Sequence, residues 1–147
     1  MVWKPDVTVA AVIEQEGRFL LVEEESSGER VYNQPAGHWE RGETLIEACA
    51  RETLEESAWH FEPAGLVGIY SWASAAGTVF LRFAFHGKLG THEPERRLDS
   101  PILRAAWLTA GEIRALARRH RSPLVMRCVE DYLAGRRYPI DIVTHWQ

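Results

Sequence analysis

The sequence predicts an α+β fold, a mixed sheet with helices packed on its faces, and three observations predict it. β-rich segments come early and again in the middle of the chain. One helical pattern separates them, and two more follow. With 147 residues and no repeat, low-complexity tract or dividing linker, residues 1–147 are expected to form one domain around one core.

The elements can be justified in order. Val7–Glu14 (VTVAAVIE) is β-branched and reads as a buried strand. Gly17 marks a turn, and Phe19–Glu23 reads as the hairpin partner. Ser26–Glu29 is a polar turn, and Val31–Gln34 leads into Pro35-Ala36-Gly37, where extended chain is expected to give way to a loop. Thr44–Ser57 is helical in pattern, capped by Thr44 or Glu43 and filled with alanines. Pro63 excludes a continuing helix. Leu66–Trp72 and Thr78–His86 read as an antiparallel pair, and Gly87–Pro101 as a charged loop. Ala105–Leu108 is a short strand. Thr109 and Glu112 form a capping box for a helix to about Ala117. Leu124–Leu133 is a further helix, stopped by Gly135.

Composition excludes several function classes. A net charge of -4 and a pI near 5.9 leave no basic footprint for nucleic acid. Cys49 and Cys128 stand far apart without metal-ligand spacing, which suits a reduced, cytoplasmic protein. The opening MVWKPDV lacks a signal-peptide core, and no apolar run reaches the ~18 residues of a membrane span, so no membrane partner is expected.

The chemistry concentrates in Gly37–Glu43 and Arg51–Glu56. On a wheel of about 100° per residue, Ile46, Ala50, Thr53, Leu54 and Ser57 share one arc, and Glu52, Glu55 and Glu56 share another, roughly opposite. Two carboxylates ~6 Å apart repel by roughly 3 kcal/mol at an effective dielectric near 20. Arg51 can pair with Glu55, but one cation does not neutralise three anions. A solvated helix face is the bland alternative. A hard divalent cation compensates the cluster better, because Mg²⁺ takes oxygen ligands and shares them with substrate phosphates. Gly37 lets the backbone approach such a ligand.

The full spacing decides between these readings. Gly37, five residues, Glu43, seven residues, Arg51-Glu52, two residues, Glu55-Glu56 resembles the signature of the Nudix hydrolases. VTVAAVIEQEGRFLLVEE, NQPAGH, RETLEES, LRFAF, RSPLV and AGRRYP extend the resemblance to the phosphatase NudJ subgroup over nearly the whole chain. The resemblance implies a Nudix α/β/α sandwich with a mixed central sheet. It implies Mg²⁺-dependent hydrolysis of phosphoanhydrides, with Mn²⁺ as a substitute. Its subgroup implies a phosphatase on hydroxymethylpyrimidine diphosphate, thiamine diphosphate and nucleoside di- and triphosphates. Carried over by position, Glu52 and Glu56 are the principal metal ligands. Glu55 is a further ligand or the base for the attacking water, and Arg51 orients it. The Gly37 carbonyl joins the metal shell, and Glu43 holds the loop to the helix. Asp99, Glu93 and Glu95 compete with Glu55 as base. Ala58 departs from the pattern, which has a left-handed glycine there; the helix is expected to run longer or end differently.

Four residues are candidates for substrate binding. Gln34, with Asn33, sits before the loop and can bond a base; turn capping is as reasonable. Arg82 can reach a phosphate or pair with the acidic cluster. Tyr70 and Trp72 alternate on one strand face and can stack on a pyrimidine ring, although such aromatics more often pack in a core. Partners are then a small-molecule diphosphate and, for assembly, either none or a second copy. Two other functions share the motif. One is a housecleaning nucleoside triphosphate pyrophosphohydrolase. The other is a catalytically silent nucleotide-binding domain, which has no need to keep all three glutamates.

Overall fold

Strand β1 (Asp6–Ala11) lies inside a five-stranded sheet and is covered on both faces, which is why it is an almost continuous apolar run. This computed structural model describes residues 1–147. A short β2 (Glu14–Gln15) turns through Gly17 into β3 (Arg18–Ser26), and β4 (Glu29–Asn33) and β5 (Ala36–His38) follow. Helix α1 (Leu45–Ser57) precedes two long strands, β6 (Trp59–Ala73) and β7 (Val79–His92). Then come β8 (Ile102–Thr109), α2 (Ala110–Ala115), α3 (Leu124–Leu133) and the two-residue β9 (Tyr138–Pro139).

The first sheet has the order β5-β1-β7-β6-β9, with β1 parallel to β7 and the remaining pairs antiparallel; it is the mixed sheet expected from the sequence. The second sheet is antiparallel: β3 has β8 on one side, and β2 and β4 pair with it as well. Alternation along β1 splits the core in two. Val9 and Ala11 face α1, together with Leu20, Leu66 and Phe85. Ala10 and Val12 face α3, together with Phe19, Leu21, Val125 and Val129. One helix therefore seals each face.

Some expected boundaries shift. Ala36–His38 is not loop: the residues pair with β1, Gly37 opposite Val9. The strand β7 runs on to His92, so the charged loop begins only at Glu93. The expected capping box of Thr109 with Glu112 is present, and at α1 Thr44, not Glu43, is the cap, in a second capping box with Glu47. Helix α1 does not lengthen at Ala58. It ends there in a left-handed turn with φ 65° and ψ 15°, the conformation a glycine would adopt. No helix is long and apolar enough to cross a membrane.

Candidate active site

The buried positions of α1 are Ala48, Cys49, Thr53 and Ser57. The expected packing arc through Ile46, Ala50 and Leu54 is thus displaced. On the wheel Glu52 and Glu56 fall between Ala48 and Cys49, so they point into the protein, not away from it. Periodicity alone misplaces them, because at this turn charged side chains occupy the inward face.

Arg51 organises the start of the site. Its Nε and Nη2 donate to both Glu43 oxygens at 2.9 and 2.8 Å, a bidentate pair. Its Nη1 donates to Glu52 at 2.7 Å and Glu55 at 2.9 Å, and its Nη2 also reaches the His38 carbonyl at 3.1 Å. Glu43 in turn accepts from the Glu40 amide at 2.9 Å. The loop and the helix are joined through this one guanidinium, which holds the Glu43 carboxyl below its ordinary range.

Glu56 has no cation partner. Its Oε1 accepts from the Ala36 amide at 2.9 Å, which ties α1 to β5. Burial pushes its pKa up to about 8, and the neighbouring Glu52, Glu24 and Asp99 charges add to the rise. Burial also raises Glu52, against the lowering effect of Arg51. Gly37 is required beside them: a Cβ at this position would overlap the Glu52 carboxylate.

A cavity of about 740 Å³ opens over these residues. Glu52 and Glu56 line it with Gly37; Glu24 from β3 and Asp99 from the 93–101 loop complete an acidic wall. Arg82 lines it too, and is 6% exposed. Its Nη1 donates to Gln34 Oε1 and its Nη2 to Asn33 Oδ1, each at 2.9 Å. Both acceptors are neutral amides, and no carboxylate pairs with this guanidinium. A third wall carries Trp72 and Phe80, which stack with ring centroids 5.8 Å apart.

The cavity does not gather every expected residue. Glu55 lies outside its lining, turned to Arg51. Gln34 is 1% exposed and its side chain is committed inside the protein, donating to the Val125 carbonyl at 2.8 Å while accepting from Arg82; Asn33, its neighbour, lines the cavity instead. Tyr70 shares a face with Trp72, but its hydroxyl donates to Asp131 of α3 at 2.8 Å, and that helix covers it. Sequence reading missed Glu24, Phe80 and Arg121 at the cavity. Glu24 resembled any strand glutamate. Phe80 is found only through its cross-strand register with Trp72. Arg121 ends the arginine-rich stretch Arg114–Arg121, whose pattern is that of a solvated face.

No three His, Cys, Asp or Glu side chains form a ready-made metal cage. The donor set nevertheless fits a hard cation of the Mg²⁺ kind, which takes one or two carboxylates and completes its shell with substrate phosphate and water. Glu56 is a partly buried carboxylate without a counter-charge, and the Glu52 carboxylate lies against a glycine backbone that admits close approach.

This fold and this helix define a phosphoanhydride hydrolase. The family model for the NUDIX domain matches residues 3–128, and the chain belongs to the Nudix hydrolase family. It is 43% identical over 141 residues to the phosphatase NudJ of Escherichia coli K12, across 96% of this chain and 92% of that protein. The phosphatase NudJ of Shigella flexneri matches to the same extent. Among solved structures, a NUDIX hydrolase from Nitrosomonas europaea superposes with a TM-score of 0.95 at 54% identity, covering 97% of this chain and 98% of that one. The Escherichia coli ORF135 protein has a TM-score of 0.70 at 21% identity, covering 90% of this chain and 91% of its own, and shares the fold. The chain is accordingly a hydrolase of acid anhydrides in phosphorus-containing compounds.

Proposed function

We propose that residues 1–147 form one Nudix domain that acts as a Mg²⁺-dependent phosphatase of the NudJ type. It removes orthophosphate from hydroxymethylpyrimidine diphosphate, thiamine diphosphate and nucleoside di- and triphosphates. One observation carries the reading: a partly buried carboxylate without a cation, Glu56, and a buried guanidinium without an anion, Arg82, line the same cavity. Each charge is costly alone. A metal-bound phosphate chain supplies both missing partners.

Glu52 and Glu56 hold the cation, with the Gly37 carbonyl beside them. When bound, Mg²⁺, or Mn²⁺ in its place, neutralises phosphate charge and lowers the pKa of a coordinated water. The protein's own groups do the rest. Arg82 holds a phosphate oxygen, and Asn33 and Gln34 fix the plane of its guanidinium. Arg51 fixes the side chain of Glu52 and keeps Glu55 in a supporting position. Asp99, which no cation pairs with, takes the proton from the attacking water; its backbone amide is anchored to the Glu55 carbonyl at 3.0 Å. The water oxygen bonds to phosphorus as the bridging P–O bond breaks, giving orthophosphate and the shortened organic phosphate. Trp72 and Phe80 offer a flat surface to the organic group.

Product analysis on a panel of nucleotide, thiamine-pathway and prenyl diphosphates with Mg²⁺ tests the reading. Stepwise orthophosphate release is expected. Release of pyrophosphate from nucleoside triphosphates would instead make the enzyme a housecleaning pyrophosphohydrolase. No release with either Mg²⁺ or Mn²⁺ would make it a silent nucleotide-binding domain.

A further inference from the structure

Arg121 is placed with more care than a surface arginine needs. Its backbone amide donates to the Tyr32 carbonyl at 2.8 Å, and the preceding His120 makes a parallel bridge to Tyr32. The segment is thereby stitched alongside β4 next to Asn33, the residue that orients Arg82. From this fixed backbone the Arg121 side chain enters the cavity and donates from Nη1 to Glu24 Oε1 at 2.8 Å.

Glu24 is an unusual partner. A register shift between Glu23 and Glu24 interrupts the β3–β8 ladder, and both side chains are buried although neighbours on a strand normally face opposite ways. Glu23 is held by Arg104 and Arg119 at 2.9 and 2.5 Å. Glu24 faces the cavity, with Arg121 as its one cationic partner. The Arg121 side chain remains about half exposed, so it can exchange partners at little cost.

The cavity walls give the exchange a direction. Trp72 and Phe80 belong to the β6–β7 hairpin of the five-stranded sheet. Glu24 belongs to the second sheet, and Arg121 is stitched to that sheet's β4. A substrate whose organic group lies on the aromatic pair and whose first phosphate meets Arg82 therefore extends its free end toward Arg121.

We propose that Arg121 is a specificity-determining residue that leaves Glu24 to grip the substrate's terminal phosphate, so that the site prefers di- and triphosphates with a free end over diphosphates capped by organic groups at both ends. Glu24 parks the guanidinium while the cavity is empty. A terminal phosphate, with two ionisable oxygens, competes with one carboxylate for the planar fork. A capped diphosphate has no such group to offer. The proposal rests on the phosphatase reading above.

The test is a mutant cycle read by kinetics and by thermal melting. Arg121→Gln should raise KM for a nucleoside diphosphate at least tenfold and leave the rate on a dinucleoside diphosphate within twofold. It should also lower Tm, because Glu24 is left buried and unpaired. Glu24→Gln should lower KM for the nucleoside diphosphate. The double variant Glu24→Gln/Arg121→Gln should recover the Tm while its KM stays raised, and Arg121→Lys should restore part of the affinity. A double variant with wild-type KM would show that Arg121 acts only through Glu24, and the proposal falls. Equal losses on free-ended and capped substrates would overturn it as well. Wild-type protein that releases no orthophosphate would remove the phosphatase reading, and this proposal with it, whereas an active wild type with an indifferent Arg121→Gln removes this proposal alone.

Discussion

The carboxylate of Glu52 occupies the space in which a side chain at Gly37 would begin. The two residues come from different elements, α1 and β5, so their contact fixes the helix against the sheet at the proposed metal site. The displaced group would be the end of a flexible side chain, not backbone. Gly37→Ala should therefore melt within a few degrees of wild type. Its kcat/KM should fall by about 100-fold, the scale of loss for a misplacement of ~1 Å at a catalytic group. Full activity in the alanine variant would separate Glu52 from the reaction.

Glu56 gives a pH signature to the metal-free protein. Its pKa is about 8 when folded, against 4.5 for an ordinary glutamate. Between those values the folded chain keeps a proton that the unfolded chain has lost. Stability is thus fully present at low pH and declines as the pH rises toward 8, by up to about 1.4 kcal/mol per unit from this one group. Denaturant titrations of the protein in chelator should show the decline. Adding Mg²⁺ should reverse it, because a cation stabilises the charged form, and Glu56→Gln should flatten it. A slope unchanged in that variant would assign the pH dependence elsewhere.

Asp99 faces the cavity without a cation partner, and its amide is bonded to the Glu55 carbonyl. Asp99→Asn keeps the shape and removes the proton acceptor. As general base it should cost about 10²–10⁴-fold in kcat with little change in KM or in Mg²⁺ requirement. If Glu55→Gln loses that much and Asp99→Asn does not, the base is Glu55.

The left-handed turn at Ala58 stores backbone strain that a glycine would relieve. Alanine there costs about 1–2 kcal/mol. Glycine would recover this but lose a buried methyl worth roughly 0.8 kcal/mol. Ala58→Gly should therefore melt at or slightly above the wild-type temperature. Ala58→Val should destabilise by about 2 kcal/mol, since a β-branched residue resists positive φ more strongly. Equal melting temperatures for the two variants would show that the helix ends in another way.

A cap at Thr44 or Glu43, the capping box at Thr109, the helix Leu124–Leu133 and the strand pattern of β1 were legible in local sequence, because each shows in a few neighbouring residues. The Gly37-to-Glu56 spacing likewise carried the resemblance to the Nudix hydrolases, the family to which the chain belongs. The strand character of Ala36–His38 was not legible, since it comes from pairing with β1, a partner distant in the chain. The inward direction of Glu52 and Glu56 was hidden for a related reason. A wheel sorts residues by angle, but only the neighbouring sheet decides which angle is inside.

The sequence by itself determined the family, the helix that carries the glutamates and the class of bond to be broken. The helix follows from its local pattern, the family from the resemblance that residue types at fixed short spacings carry, and the class of bond from what that family implies. Tertiary structure alone decided that Gln34 and Tyr70 are spent on internal bonds, that Asn33 and Phe80 stand at the cavity, and that Glu24 and Arg121 meet across it. Glu24 and Arg121 are nearly a hundred positions apart, and no local pattern encodes a contact that only the packing of one sheet against a returning segment creates.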